Sequence, residues 1–569
     1  MTLRQAHRRA RETLLAARGR DGAWRGRLSS SALANAVTAF ALSRAGGSAS
    51  HVAAGLRWLA ADQHEDGGWG DTPESPPNLS TTTLAWAALT ALGGPPEVIA
   101  RAHGWLARRL GGPVEPAPLA RAVADSYGAD RTFSAPILAL GAEAGVLGPA
   151  PACWQLVPAL PFELAALPRA LFAGLGLPMV SYALPALIAI GQLRHVRSGS
   201  RSPLRALARA PTLARLAELQ PPDGGFLEAT PLTAFVLMSL AGIGRSDDPV
   251  ARRCVAFLES SMRPDGSWPI DTDLSTWVTS LAVAALGRED LEPRLADRYA
   301  ALQLADVHPY TGAAPGGWAW TDLPGGVPDA DDTAGALLAL HKLAPERVEV
   351  ARRGVIWLLD LQNRDGGFPT FCRGWGTLPF DRSAPDLTAH ALRALSAWSV
   401  SLPDLARRID SAIEAAAVYA RRSQSPSGAW VPLWFGNQQS AVLDNPVIGT
   451  ARMIRGICEH SWARQPADAG VRYLVGARHA SGGWGGAPGV EPSIEETAMV
   501  VEALSQPAVM APRDVLDAGA QWLAARVLDG GLAHPAPIGL YFANLWYSEA
   551  LYPAAFATAA LRAAISASG

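Results

Sequence analysis

The chain has 569 residues and a formal net charge of -2, from 49 Lys+Arg against 51 Asp+Glu, which excludes the polybasic surface of a nucleic-acid binder. At 49% hydrophobic and 18% charged residues, with a mean hydropathy of +0.10, it is too apolar for a disordered protein and able to bury a large core. The cysteines Cys153, Cys254, Cys372 and Cys458 lie far apart with no CxxC pair, so neither a disulfide framework nor a metal site is expected, and a reducing compartment is. The basic N-terminal stretch lacks the continuous apolar core of a signal peptide, which predicts a cytoplasmic start.

Along the chain one pattern recurs: an aromatic-Leu pair, then a Gln, then Gly-x-aromatic. Its clean copies are Trp58-Leu59, Gln63, Gly67, Trp69; Trp357-Leu358, Gln362, Gly366, Phe368; and Tyr419, Gln424, Gly428, Trp430. Degenerate copies run from Leu216 to Phe226, Phe257 to Trp268 and Tyr473 to Trp484, with frayed ones at Asp21 to Trp24 and Trp522 to Leu532. Copies at intervals of very roughly 40 to 60 residues suit a two-helix unit in a helical array. Ala/Leu-rich segments such as Ser31 to Arg44 and Ser80 to Leu92 have helical periodicity, and the Asp-Gly-Gly turns between helices supply positive φ without strain. Each Gln is expected to bond open backbone groups at a neighbouring helix end while the aromatic packs over the next turn. The repeat therefore predicts an α/α scaffold whose copies hold helix pairs and do no chemistry.

The texture shifts after Cys153. Ala170 to Gly191 carries no charge and is long enough to span a bilayer, but Pro178, Pro185 and three glycines interrupt it. A helix so broken leaves backbone groups unpaired in lipid, so a buried or interfacial segment is expected. The Arg/Leu-rich stretch from Arg194 to Arg215 suits either an anionic surface or an ordinary solvated helix face.

Further on, Gly317-Trp318-Ala319-Trp320 leads to Val327-Pro328-Asp329-Ala330-Asp331-Asp332-Thr333 at the start of a helix over Ala334 to Leu343. Capping and the helix dipole account for one or two acids there, not three. Three carboxylates this close cannot all ionise cheaply, so at least one is expected to keep its proton and serve as a donor. In Asp386-Leu387-Thr388-Ala389-His390 the Asp and His share a helix face, so Asp386 is expected to hold His390, and His390 to reach one aspartate of the cluster.

With these residues in place the chain resembles the squalene-hopene cyclase family of class II triterpene cyclases over essentially its whole length. The repeats resemble that family's QW motifs, and Val327 to Ala334 its DxDD segment. The resemblance implies an all-α fold of two α/α barrels: a smaller inserted barrel, residues 21–246, and a catalytic barrel from 1–20 plus 247–569. It implies that Asp331 protonates a terminal alkene, that Asp329 and Asp332 flank it, and that His390, with Asp386 behind it, polarises it. Cys372 aligns with a cysteine beside the acid. Trp277, Trp320 and Trp434 align with cation-stabilising pocket positions, and Tyr541 and Tyr547 with the terminal aromatic cluster. The chemistry implied is a polyprenyl cyclisation without metal or cofactor, starting from squalene and ending at a hopene-type triterpene. The enzyme is then expected to sit monotopically on the cytoplasmic side of a membrane, with a homodimer as an open assembly state and no nucleic-acid partner. Departures bear on the product: no Trp occurs between Trp154 and Trp268, and Ile448 stands where the family places a tyrosine. Alternatives are a cyclase of another polyprenyl chain or giving a partly cyclised product, a zinc prenyltransferase-like barrel, and a non-catalytic lipid-binding barrel.

Overall fold

The computed structural model describes residues 2–128, 131–167, 184–309, 311–371, 380–540 and 545–567. It is built of helices, with two short two-stranded ribbons, Trp318–Ala319 with Pro328–Asp329 and Ile538–Leu540 with Leu545–Tyr547. Two closed rings of inner helices organise it, and these helices are labelled here in chain order. The first ring holds α1 (Ala32–Ala45), α2 (Leu79–Leu92), α3 (Arg131–Glu143), α4 (Leu184–Arg197) and α5 (Thr230–Gly242), each packed on the next and α5 returning to α1. The second holds α6 (Ser275–Ala285), α7 (Ala330–Leu343), α8 (Pro385–Trp398), α9 (Pro446–Ile457), α10 (Ile494–Leu504) and α11 (Tyr552–Ala567), closed by α11 on α6. Outer helices such as Ala49–Ala61, Pro249–Ser260 and Val348–Leu361 cover the rings.

Inner helices such as Ala32–Ala45 and Leu79–Leu92 are apolar all round because both of their faces are covered, whereas outer helices such as Pro249–Ser260 carry a single apolar stripe. The all-α, two-barrel expectation holds. The cores divide differently from the expected boundaries at 21 and 246. Trp24 and Leu28 belong to the core of the second barrel, while Val250 to Leu258 and Trp268 belong to that of the first. The physical reason lies in the repeat. The Trp24 indole N–H donates to the Leu14 carbonyl at 2.7 Å and that of Trp268 to Leu258 at 2.6 Å, so each ring aromatic stays with the outer helix that precedes it.

The same bond recurs from Trp69 to Leu59, Trp430 to Ala420 and Trp484 to Leu474. Each repeat Gln spans two backbone carbonyls: Gln63 donates to Gly67 and Val98, Gln362 to Gly366 and Ala412, Gln424 to Gly428 and Pro466, all at 2.8 to 2.9 Å. Each thus ties its own turn to the first turns of the following outer helix. The structure adds a copy that the regular spacing hides. Gln303 donates to Gly316 and Val350 at 2.9 Å, and the Trp318 indole donates to Tyr299 at 2.7 Å, with the loop after Gln303 separating the two halves. A threonine one turn into seven of the eleven inner helices completes the unit, Thr233 among them as acceptor of the Phe226 N–H at 2.9 Å. Thr82, Thr279, Thr333, Thr388, Thr450 and Thr497 accept the backbone N–H of Trp69, Trp24, Trp318, Phe368, Trp430 and Trp484 at 2.9 to 3.0 Å.

Of the segment Ala170 to Gly191, only the part from Leu184 is described, and it forms the start of α4, where Leu184, Ile188 and Ile190 are buried. Among the described residues no helix is long and apolar enough to cross a membrane. The helix Pro203–Leu219 leaves Leu204 and Leu207 exposed, at 65% and 78%.

Candidate active site

Helix α7 begins where the ribbon Trp318–Ala319/Pro328–Asp329 ends, and Asp329 is its N-cap, its Oδ1 accepting the Asp332 N–H at 2.9 Å. Capping thus accounts for one acid of the three. Asp331, like Asp329 and Asp332, lines a cavity of about 340 Å³ between the two rings. Its Oδ1 lies 2.6 Å from His390 Nδ1 on α8 and 2.7 Å from an Arg452 guanidinium nitrogen on α9. Three neighbouring inner helices therefore converge on one carboxylate oxygen.

Burial pushes the Asp331 carboxyl up, but the charges of Arg452 and His390 outweigh it and hold the group below its ordinary value. His390 is pushed down to about 4 by burial, against the opposing pull of Asp331. Both flanking acids move the opposite way. Asp329 is raised to about 7 by burial, with the Asp331 charge adding to the rise. Asp332 is raised well above its usual value by burial and then by the charge of Asp329, and its Oδ1 has no hydrogen-bond partner. The triad thus pairs a strong acid with two neighbours that retain protons. The sequence predicts a retained proton somewhere in the cluster, and the structure places it on the flanks because Arg452 faces the centre.

The expectation for Asp386 needs correction. It is fully buried and four residues before His390, yet its Oδ1 accepts the Leu433 N–H at 3.1 Å, its Oδ2 has no partner, and it makes no hydrogen bond to His390. Its orientation across the helix-to-loop junction fixes the segment carrying Trp434 instead. The site also includes Arg452, which bonds Asp331 rather than His390 and is absent from the sequence-based expectation. The available signal was two arginines, Arg452 and Arg455, in an otherwise apolar helix sequence, PVIGTARMIRGI.

Trp277, Trp320, Trp434 and Tyr547 all line the cavity. The Trp277 indole donates to the Tyr552 hydroxyl at 2.8 Å and its ring meets that of His390 edge-on at 6.0 Å. The Trp320 carbonyl accepts the N–H groups of Thr276 and Trp277 at the start of α6. Trp434 donates to Thr370 at 3.2 Å and packs on Phe380 and Phe371, with ring centres 5.6 and 6.2 Å away. Phe371 in turn packs on Trp320, so a continuous aromatic wall runs up from the acid. Ile137, Leu232 and Phe235 of the first barrel also line the cavity, and Phe133 packs on the aromatic cluster of Phe371, Phe380, Trp320 and Trp434. Cys372 and Tyr541 lie outside the described residues.

The cavity thus has an acidic end and an apolar, aromatic remainder. Among the described lining residues there is no Lys or Arg, and the polar groups are carboxyls and a few hydroxyls. Such a site suits proton donation into hydrocarbon and the shelter of cations from water.

The two-barrel architecture is that of the terpene cyclases. The solved ent-copalyl diphosphate synthase from Streptomyces platensis superimposes with a TM-score of 0.56 over 99% of both chains at 21% identity. Family models describe residues 7–119 as a squalene-hopene cyclase N-terminal domain and residues 277–487 as a squalene-hopene cyclase C-terminal domain. The chain belongs to the squalene-hopene cyclase family of class II terpene cyclases. Curated relatives include the drimenyl diphosphate synthase of Streptomyces showdoensis, 30% identical over 48% of this chain and 47% of the relative. The squalene-hopene cyclase of Alicyclobacillus acidocaldarius is 26% identical over 66% of this chain and 67% of the relative. The chain spans only 38% to 47% of the length of several such relatives.

Proposed function

We propose that the chain cyclises an uncharged polyprene of the squalene type to a hopene-type or partly cyclised product, with Asp331 as the proton donor. The observation that carries the reading is Asp331 at the boundary between an apolar cavity in front and two basic partners, His390 and Arg452, behind. In the first step the Asp331 O–H bond breaks and a C–H bond forms at the terminal alkene, leaving a tertiary cation and an Asp331 carboxylate. Arg452 and His390 stabilise that carboxylate, and a stabilised conjugate base is what makes a carboxylic acid strong enough for so weak a base as an alkene. Asp329 and Asp332, both pushed up by burial, spare the centre a second and third negative charge, and the Asp331 carboxylate regains its proton from solvent or from the proton lost at the end of the sequence. Ring closure then moves the cation along the wall of Trp320, Phe371 and Trp434, where each aromatic face stabilises a desolvated cation by roughly 2 kcal/mol. Loss of a proton or addition of water ends the sequence.

An uncharged chain is favoured because a diphosphate calls for cations, and the described lining of the cavity holds none. Similarity to a drimenyl diphosphate synthase supports a second reading, cyclisation of a prenyl diphosphate with the head group retained. Purified protein incubated in detergent with squalene, and separately with farnesyl and geranylgeranyl diphosphates, distinguishes them by mass spectrometry of the products. Cyclic hydrocarbon or alcohol from squalene, absent with Asp331→Asn, supports the first reading. Cyclic product from the diphosphates alone selects the second, and product from Asp331→Asn rejects both.

We further propose that the chain takes its substrate from the cytoplasmic face of a membrane, docking through the exposed Leu204 and Leu207 beside the exposed Arg201. Co-sedimentation with anionic liposomes tests this. Protein that remains in the supernatant, or that binds equally well as the Leu204→Ser/Leu207→Ser variant, rejects it.

A further inference from the structure

Behind the acid lies a second cavity, of about 290 Å³, inside the second ring. It meets the first at a wall to which Trp277 and Phe435 contribute on both sides. His390 and Arg452, whose other contact is Asp331, line this rear chamber, together with Arg393, Arg455, Lys342 and Arg562. Its only described acidic lining residue is Glu502.

Most of these charges have partners. Arg452 is paired with Asp331, and Arg455 with Glu502 at 2.5 Å. Arg562 donates to the carbonyls of Leu286 and Ala284 at 2.7 and 2.8 Å, and Lys342 to that of Val283 at 2.8 Å, closing the C-terminal end of α6. Both also feel Glu289 and Asp290 from the adjoining loop. Arg393 differs. No hydrogen bond or ion pair to the described residues holds its guanidinium, and its nearest charges include Arg455 and Arg452. Burial and those two cations push it down to about 9, against the opposing charges of Glu502 and Cys458. Arg393 is partly exposed and lines this cavity, and an unpaired guanidinium fork in a chamber lined by other cations is a ready partner for an anion.

We propose that the rear cavity is a binding site for a small tetrahedral oxyanion of the phosphate class, held by Arg393 with Arg452 and Arg455. The planar guanidinium fork matches two oxygens of such an ion, and the volume leaves room for waters to complete its shell. The ion is not the head group of a substrate. Asp331 faces the front cavity, so a polyprene whose terminal alkene meets Asp331 extends forward, away from the rear chamber. An anion beside Arg452 also draws that cation's field away from Asp331. This consequence for acid strength rests on the proton-donor reading above, whereas the binding itself does not.

The test is a titration of the full chain with sodium phosphate, and separately with sodium sulfate, at ionic strength held constant with sodium gluconate, following the Tm and the heat of binding. A saturable rise in Tm of roughly 1 °C or more is expected. Arg393→Gln weakens the binding at least tenfold, Arg393→Lys recovers part of it, and Glu502→Gln tightens it by releasing Arg455. No saturable response in the wild-type chain overturns the proposal, as does equal affinity in wild type and Arg393→Gln. Should Arg393→Gln fail to fold, unchanged or weaker binding by Glu502→Gln overturns it. Loss of anion binding leaves the squalene and diphosphate assays untouched as tests of the reaction, so the two conclusions fail separately.

Discussion

Replacing Arg452 by Gln removes the only permanently charged partner of Asp331 among the described residues while keeping a hydrogen-bond donor of similar length. The guanidinium nitrogen lies 2.7 Å from Oδ1, which puts the charge centres about 4 Å apart, and at an effective dielectric of about 20 that is worth about 4 kcal/mol. Divided by 1.36 kcal/mol per unit this bounds the shift at about 3 pKa units, and an upward move of about 1 to 3 is expected. Two effects on turnover then oppose each other. The Asp331 carboxyl keeps its proton to higher pH, so the limb on which activity falls with rising pH moves up by the same 1 to 3 units. Once protonated it is a weaker acid, so the plateau at low pH drops by about tenfold. Rates of squalene cyclisation from pH 4 to 9 should therefore give wild-type and Arg452→Gln profiles that cross, the limb reporting the triad as a unit. The stability sign follows from the same depressed pKa: Asp331 contributes stability above its unfolded value of about 4 that is lost as pH falls, so the two Tm curves converge in acid. A limb that stays in place or moves down, with an unchanged plateau, refutes the assignment of Arg452 as the group that sets the acid.

Several buried carboxyls favour their neutral form in the fold, Asp329 and Glu549 at about 7 and Glu495 at about 8, in each case chiefly through burial. Raised groups give stability that is present below their unfolded pKa of about 4 and lost as pH rises through the folded values, so the Tm should be higher at pH 5 than at pH 9, and a profile rising toward pH 9 contradicts the burial argument. Asp386→Ala removes the acceptor of the Leu433 N–H and costs about 1 to 3 kcal/mol. Because that bond holds the Trp434 segment, the product mixture should broaden while the pH profile keeps its shape, and a shifted profile would instead return Asp386 to His390. Gln362→Ala loses two bonds of 2.8 Å and should lower stability by about 1 to 3 kcal/mol, read as a fall in Tm, with the product spectrum unaltered.

The scaffold was legible because its signals are local. Gln362, Gly366 and Phe368 lie within one turn and its flanks, and the bonds they make are those the spacing implies. The copy at Gln303 was hidden by a loop inserted inside the unit, which leaves the contacts intact and destroys the interval. The Thr latch was hidden for the same reason, since Trp69 and Thr82 are 13 residues apart and Trp430 and Thr450 are 20. At the site the acids could be found because three of them share one helix start. Asp331 and His390 could be paired from the resemblance, whereas Arg452, 121 residues from Asp331, carries no local mark beyond being a charge in an apolar helix. Asp386 was misread because an i,i+4 spacing fixes only the shared face. The direction its carboxyl takes depends on the Leu433 N–H, 47 residues on.

The latch explains why the chemistry sits where it does. In each inner helix that carries it, the residue two before the latching Thr lies at the same point of the first turn, at the mouth of the ring. In the second ring those residues are Trp277, Asp331, Asp386, Ile448 and Glu495, before Thr279, Thr333, Thr388, Thr450 and Thr497. One repeated geometry thus presents a cavity aromatic, an acid facing hydrocarbon, a loop-holding carboxyl, an aliphatic and a second buried carboxyl around a single rim. Asp331 and Asp386 differ less in their backbone setting than in what faces them: Arg452 and His390 in one case, a loop N–H in the other. The cation that makes Asp331 a strong acid comes from a helix two places along the ring, so the ring has to close before the acid exists as such. An isolated α7 hairpin with the full DxDD sequence should accordingly titrate as ordinary carboxyls by NMR, and a depressed Asp331 in that fragment would show that the motif alone, not ring closure, sets its strength.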